Sequence, residues 1–389
     1  MNEWNSTVRV LLSRAVTGAA AAALCLGCGG GGGGGSGESS HSSARGADST
    51  TVLTSVDVVS DGNGVASASF ELPSGTNKAA LTASTDAFIG TDLVVSDTGA
   101  VYANYEGEIT TLSTSIDTFV STVNAPSRDF DPPLSAGTLS MQTTVASGSD
   151  EAGNIAVAAG RPVNFSVLGK ADPDLSSGAV TVNIVFIGPA AQDGVKAAMQ
   201  QAIGVFSGIY AGEAGIEPVI SQFDFGGPGV LPDPSTGDAL YLAISAAVPA
   251  PGVNVCVGLD LSTSDLLGLS SGIPGPPLPT VKSCVGVSAI NAAGGDGAYS
   301  EEDIRVLGET LAHEIGHYMG LFHPVEGDFA SFDPLTDTPL CSGAGNCDAV
   351  LGSNNMYYSP IAGAGGALIP QSQFTPQQRG VLNRYAAVD

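Results

Sequence analysis

Three of the four histidines fall in one short run, His313-Glu314-Ile315-Gly316-His317-Tyr318-Met319-Gly320-Leu321-Phe322-His323, and the fourth, His41, stands far from them. On a helix, residues four apart share a face, so the imidazoles of His313 and His317 project one turn apart and can hold one tetrahedral metal. Glu314 lies beside that face, where its carboxylate reaches a water on the metal without becoming a ligand. Gly320 can take the left-handed conformation that ends a helix and turns the chain back. Pro324 keeps helix from resuming, and the turn returns His323 as the third ligand. Three neutral imidazoles leave one position of a zinc ion (Zn2+) open, as in catalytic sites and unlike closed structural ones. Zinc lowers the pKa of a water toward 7 and polarises a carbonyl, and Glu314 would take the proton and pass it to a leaving amine. The rival readings are histidines without a metal and a zinc site without catalysis. Glu314 speaks against the second, because its loss is the simplest route to an inactive site.

A helix must carry this motif, and its limits are readable. Ser300 is an N-cap, Glu301, Glu302 and Asp303 complement the dipole of the first turn, and Ile304, Leu307, Leu311, Ile315 and Met319 form a buried stripe, which predicts a helix over about 301–319. Residues 175–389 read as one mixed α/β domain. Strands are expected at Val180 to Ile187, Pro218 to Phe225, Leu240 to Val248, Val253 to Leu261 and Val285 to Ile290, with an amphipathic helix at Ala190 to Tyr210 and a Pro-rich surface loop at Ile273 to Pro279.

Ahead of it, residues 51–174 show short β-type runs broken by turn residues: Thr54 to Val59, Ala66 to Leu72, Ala79 to Ala83, Leu93 to Val95, Val101 to Tyr105, Leu139 to Val145 and Arg161 to Leu168. This spacing predicts a β-sandwich-like domain. It holds no His or Cys through Leu168 and reads as a structural or binding module, or as a pro-segment that is later removed. An acid from this domain or from the Asp172 to Asp174 linker is a candidate to cover the metal.

Residues 1–27 read as an export signal, with Arg9 and Arg14 ahead of an apolar stretch from Ala15 to Leu26 that is too short to span a bilayer. Leu24-Cys25-Leu26-Gly27-Cys28 resembles the bacterial lipobox, making Cys28 the lipidation candidate, although Cys25 stands where the pattern prefers Leu and simple cleavage is the alternative. Residues 28–50, rich in Gly and Ser, form a tether. The implied location is the bacterial outer membrane or cell surface, with secretion as the alternative. Of the remaining cysteines, nearness in sequence favours disulfides Cys256 with Cys284 and Cys341 with Cys347, since none lie at a Cys-x-x-Cys zinc spacing.

Composition agrees with export. Twelve Lys+Arg against 38 Asp+Glu give a net charge of −26 over 389 residues, which excludes nucleic acid and leaves a lipid anchor as the only membrane contact expected. Charged residues make up only 13% and Gly numbers 53, so Ser, Thr, Asn and Asp must solubilise a β-rich surface.

The run from His313 to His323 resembles the extended zinc signature of the metzincin metallopeptidases, and Thr310-Leu311-Ala312 before it is similar to the pappalysin/cytophagalysin branch. Asp337-Thr338-Pro339, Asn354-Asn355-Met356 and Phe374-Thr375-Pro376-Gln377 resemble that branch's Asp-Thr-Pro, Met-turn and C-terminal helix start. The likeness covers roughly 300–389 well, 180–299 loosely, and residues 51–174 not at all. It implies an α+β, metzincin-like zincin domain with a mixed sheet, active-site helix and Met-turn. Met356 would be the apolar floor under the zinc. Tyr358 would contact the metal or stabilise an oxyanion, although Tyr357-Tyr358 replaces the usual Asp-Tyr and either ring could simply pack or line the cleft. Some members bind calcium (Ca2+), for which Asp328, Asp333 and Asp337 supply oxygens; a solvated acidic loop is the alternative. The expected activity is that of a zinc metalloendopeptidase acting on a protein or peptide held extended along an edge strand. The main rival is a surface binding lipoprotein with a non-catalytic zinc site, and a second is a hydrolase of non-peptide amides.

Overall fold

The computed structural model describes residues 51–104, 116–149, 155–172, 174–263, 266–293, 298–363 and 366–389. The export signal, the tether and Cys28 lie outside them. Among the described residues, no helix is long and apolar enough to cross a membrane.

The first portion contains β1 (Thr51–Val59), β2 (Val65–Leu72), β3 (Lys78–Ser96), β4 (Val101–Asn104), β5 (Ile116–Ala125), β6 (Gly137–Ser149), β7 (Ile155–Val157) and β8 (Pro162–Lys170). All belong to one antiparallel sheet of order β1-β8-β3-β6-β2, with β4 and β5 also paired to β3 and β7 to β6. The runs Ala79 to Ala83 and Leu93 to Val95 are two ends of the single 19-residue β3. Its first half pairs with β8 and β5 and its second with β6 and β4, and its register shifts between Ser84 and Phe88 and again between Thr91 and Leu93. Such irregularities bend a strand. The sheet folds over so that β1 and β2, at opposite ends of the order, meet again. Ala66, Ala68, Phe70 and Leu72 of β2 and Val163, Phe165 and Val167 of β8 share the enclosed core.

The second portion is a mixed α+β layer structure. Strands β9 (Gly178–Ile187), β10 (Ile216–Phe225), β12 (Val253–Gly258) and β15 (Val285–Ser288) run parallel, and β14 (Gly268–Ser270) closes one edge antiparallel to β15, giving the order β10-β9-β12-β15-β14. Two-residue strands β11 (Val230–Leu231) and β13 (Asp260–Leu261) pair separately. The β-branched run of β9 is buried on both faces: Val180, Val182, Ile184 and Phe186 enter the larger core, and Val185 and Ile187 the core on the other side. Helix α1 (Asp193–Ile209) covers the first face. The expected strand at Leu240 to Val248 is instead helix α2 (Ala239–Ala247). Asp238 caps it by accepting from Leu240 N, and Tyr241, Ile244 and Ser245 are buried at helical spacing, a period that the nearly unbroken apolar run conceals. The strand expected to reach Ile290 stops at Ser288, where α3 (Ala289–Ala292) begins. The disulfide Cys256–Cys284 lies in the second core, and Cys341–Cys347 fastens α5 (Ala344–Leu351), the pairing that nearness favoured.

Helix α4 (Glu301–Tyr318) carries the histidine motif and opens with a capping box between Ser300 and Asp303. It crosses α1 at Gly308, where a Cβ would come within 2.5 Å of Val205 Cβ and 2.7 Å of the Ala202 carbonyl oxygen. The last helix, α6 (Pro376–Arg384), starts from a second capping box at Thr375 and Gln378. Because backbone and a β-branched side chain cannot yield cheaply, Gly308→Ala is expected to cost about 1–3 kcal/mol in urea unfolding through overpacking, where an exposed Gly→Ala in a helix would stabilise.

Candidate metal centre

The end of α4 decides the site. Gly320 has φ +116°, and the Leu321 N–H donates to Gly316 O and the Gly320 N–H to His317 O, the paired bonds of a Schellman turn. The reversal does two things at once: it delivers His323 to the face of His313 and His317, and it aims the Leu321 carbonyl at His317.

The three Nε2 atoms lie 3.0 Å (His313 and His317), 3.1 Å (His317 and His323) and 3.3 Å (His313 and His323) apart. A tetrahedral zinc with bonds of about 2.0–2.1 Å spaces its nitrogens roughly 3.3–3.4 Å apart, so the triangle fits with little adjustment. Each Nδ1 meets an acceptor: Asn355 O at 2.7 Å for His313, Leu321 O at 2.7 Å for His317 and Glu326 Oε2 at 2.9 Å for His323. Those bonds require the proton on Nδ1 and leave every Nε2 lone pair facing inward, the tautomer a metal needs. Among the described residues this is the one group of His, Cys, Asp or Glu side chains whose ligand atoms gather, all within 4.8 Å. Burial and the neighbouring imidazoles hold His313 down to about 3 and His317 well below its ordinary range, so both are neutral near pH 7. The donor set suits zinc.

Glu314 is buried, and burial pushes its carboxyl up to about 8 against the pull of the Ser270 backbone. A dication held by the histidines would draw it back down. The carboxylate is wedged between α4 and the edge strand: a Cβ at Gly268 would stand 2.6 Å from Glu314 Cγ and 3.0 Å from Thr310 Cγ2. A cleft of ≈ 300 Å³ opens here, lined by Leu266, Gly268, His313, Glu314, Tyr358 and Gln371 among others.

Met356 is fully buried beneath the helix, its Sδ 2.5 Å from where a Cβ on Gly316 would be, which explains the glycine inside the motif. The Asn354-Asn355-Met356 turn is itself fastened: Asn354 Oδ1 accepts from Met356 N, Asn354 Nδ2 donates to Gln378 of α6, and Asn355 Nδ2 donates to Glu309 O and Gln371 O. Of the two tyrosines, Tyr357 is buried and donates its hydroxyl to Asp348 Oδ1 at 2.7 Å, while half-buried Tyr358 packs against Phe329 on the cleft wall. The three acids considered for calcium are engaged separately. Asp328 accepts from Ala330 and Ser331, Asp333 from Leu335 and Thr338, and Asp337 from Thr375 and Gln377 at the start of α6. Asp172 pairs with Lys78, and Asp174 accepts from Ser176 and Ser177, so neither linker acid joins the histidines. Glu326 and Gly268 were not singled out from the sequence. An acid three residues beyond the third histidine was the visible signal for the first, whereas the second depends on which strand lies against the helix.

No family model matches this chain, and no curated protein does. Among solved structures, an archaemetzincin from Methanopyrus kandleri is similar at 14% identity and a TM-score of 0.31, over 53% of this chain and 95% of that one. Metalloproteinase-II from Bacteroides fragilis is similar at 12% identity and a TM-score of 0.26, over 42% of this chain and 49% of that one. At these scores the functional reading rests on the site's own geometry.

Two outcomes are expected. Replacing Glu326 with Ala removes the acceptor that orients His323 and should weaken zinc binding about 10–100-fold in chelator competition, with Gln, which still accepts from Nδ1, falling between. For the metal-free protein, the folded state refuses a proton at His313 from its ordinary 6.5 down to about 3, and refuses one at His317 well below that group's ordinary range, so acid destabilises it as pH falls below 6.5. Glu314, raised from 4.5 to about 8, and Asp333, raised by burial from 3.8 to about 7, act oppositely: the folded state keeps their protons, so stability is lost as pH rises toward those values. Urea unfolding with chelator present should therefore show a maximum between about pH 4.5 and 6.5, and added zinc should move it upward.

Proposed function

We propose that this chain is a zinc-dependent endopeptidase of the metzincin plan, akin to the pappalysin/cytophagalysin branch. One observation carries the reading: three Nε2 atoms converge at zinc-ligand spacing with every Nδ1 engaged, beside a buried carboxylate opening on the same cleft. Zinc held there supplies a Lewis acid for a peptide carbonyl and brings a water's pKa toward neutrality. Glu314, fixed between α4 and Gly268, takes the proton from the attacking water and returns it to the leaving amine. Tyr358 lines the same cleft and is the side chain that would meet the developing oxyanion, and Met356 supports the helix turn that carries the histidines. The substrate is a protein or peptide chain laid extended along β14, whose position at the end of the sheet leaves main-chain groups to pair. The leader and Cys28 would place this body outside the cytoplasm, tethered by residues 28–50 to a bacterial outer membrane or cell surface.

The deciding experiment is cleavage profiling of a denatured peptide library by the body from about Ser36 onward, beside Glu314→Gln and a chelated control. Glu314→Gln should keep its zinc and lose about 10²–10⁴-fold in kcat/KM, the range general acid–base catalysis contributes. Cuts unaffected by that substitution would overturn the assignment, and a zinc-loaded wild type that cuts nothing would favour the binding-lipoprotein reading.

A further inference from the structure

The last turn of α4 leaves carbonyls that the helix cannot satisfy itself. Ile315 O accepts from Met319 N, Gly316 O from Leu321 N and His317 O from Gly320 N, all within the turn. The other two partners come from elsewhere. Tyr318 O accepts from Gly275 N in the Pro-rich loop at 2.8 Å, and Met319 O accepts from Asn124 Nδ2 at 3.3 Å. Asn124 belongs to β5, in the sheet of the first portion, and is only 1% exposed. A Cβ at Gly320 would lie 3.4 Å from Val381 of α6, 3.5 Å from Asn124 Nδ2 and 3.9 Å from Pro274, so three elements close around this one turn.

We infer that the β-sheet portion is a built-in part of the metal centre, and that Asn124 is a positioning residue that holds the end of the zinc helix and so the turn leading to His323. The same seam is fixed at three further places. Lys78 of β3, fully buried, pairs with Asp172 at 2.5 Å and donates to Asn383 O of α6 at 3.3 Å. Lys170 of β8 pairs with Asp389. Phe119 of β5, at φ +65°, lies 2.9 Å from where a Cβ on Gly237 would be and holds that glycine bare. A pro-segment made to be shed would cover the cleft and leave by an exposed linker. This sheet instead meets the helix end behind the ligands through Asn124, while its buried lysines are paired with the linker, α6 and the last residue of the chain. The inference requires the three histidines to be the metal site but does not require peptidase activity.

Two measurements on the full chain test it, both read on zinc and not on turnover. The first is the rate at which a chelator strips zinc from Asn124→Leu, which keeps the volume and lacks the donor, beside Asn164→Ala, whose partner Asp57 lies on an exposed face. Release should be about tenfold faster for Asn124→Leu, the scale of lost outer-sphere support, with far-UV circular dichroism unchanged, and unaltered for Asn164→Ala. Release at the wild-type rate from Asn124→Leu would overturn the inference. The second inserts a protease recognition sequence between Ser176 and Ser177 and cuts the folded protein there. Both fragments should co-elute with zinc retained. A second portion that separates and keeps its zinc would show the sheet to be dispensable, and the inference would fail even if Asn124→Leu had misfolded.

Discussion

Three lone pairs have to meet at one point, and most of the second portion follows from that requirement. A single helix can supply two of them, because residues four apart share a face, but never the third: the next turn would carry it along the axis and away from the other two. The chain must therefore stop being helical within a few residues of His317 and double back tightly. Only a residue without a Cβ tolerates Gly320's backbone at low cost, and the two Schellman bonds make the reversal rigid. The reversal then repays the helix, since the Leu321 carbonyl it turns inward is what orients His317.

Around that point the structure brings close contact where side chains would intrude. Gly308 lets α1 approach, Gly316 admits the sulfur of Met356, and Gly268 lets the sheet edge approach Glu314. These glycines share a purpose distinct from that of Gly320: they serve proximity and not unusual dihedral angles. Together they set the helix between a floor, a wall and an edge strand with little freedom to tilt, and ligand geometry that must hold to fractions of an ångström depends on such restraint.

What the sequence disclosed was what depends on neighbours along the chain. The helix at 301–318, its Ser300 cap, its glycine stop and the spacing that lets three histidines gather are local, and nearness along the chain favoured the two disulfides that are present. The same logic failed at Leu240 to Val248, where apolar residues on nearly every position erase the period that separates strand from helix, and the Asp238 cap was the better guide. Strand β5 was not foreseen, although it reaches the end of α4, because its polar residues come in adjacent pairs, Asp117-Thr118 and Ser121-Thr122, which break the two-residue alternation by which a strand is read. The long β3 read as two strands for a related reason: its bulges interrupt the pattern while the hydrogen-bonded ladder continues.

The three supports behind the ligands differ in kind. Asn355 and Leu321 present main-chain oxygens, which are there whatever side chain occupies those positions, whereas the support for His323 is a carboxylate encoded by residue 326. Among these three, natural variation can add, remove or weaken an acceptor by a single codon change only at the third. Lineages that retain the ligands yet live under different metal supply would be expected to diverge first at position 326.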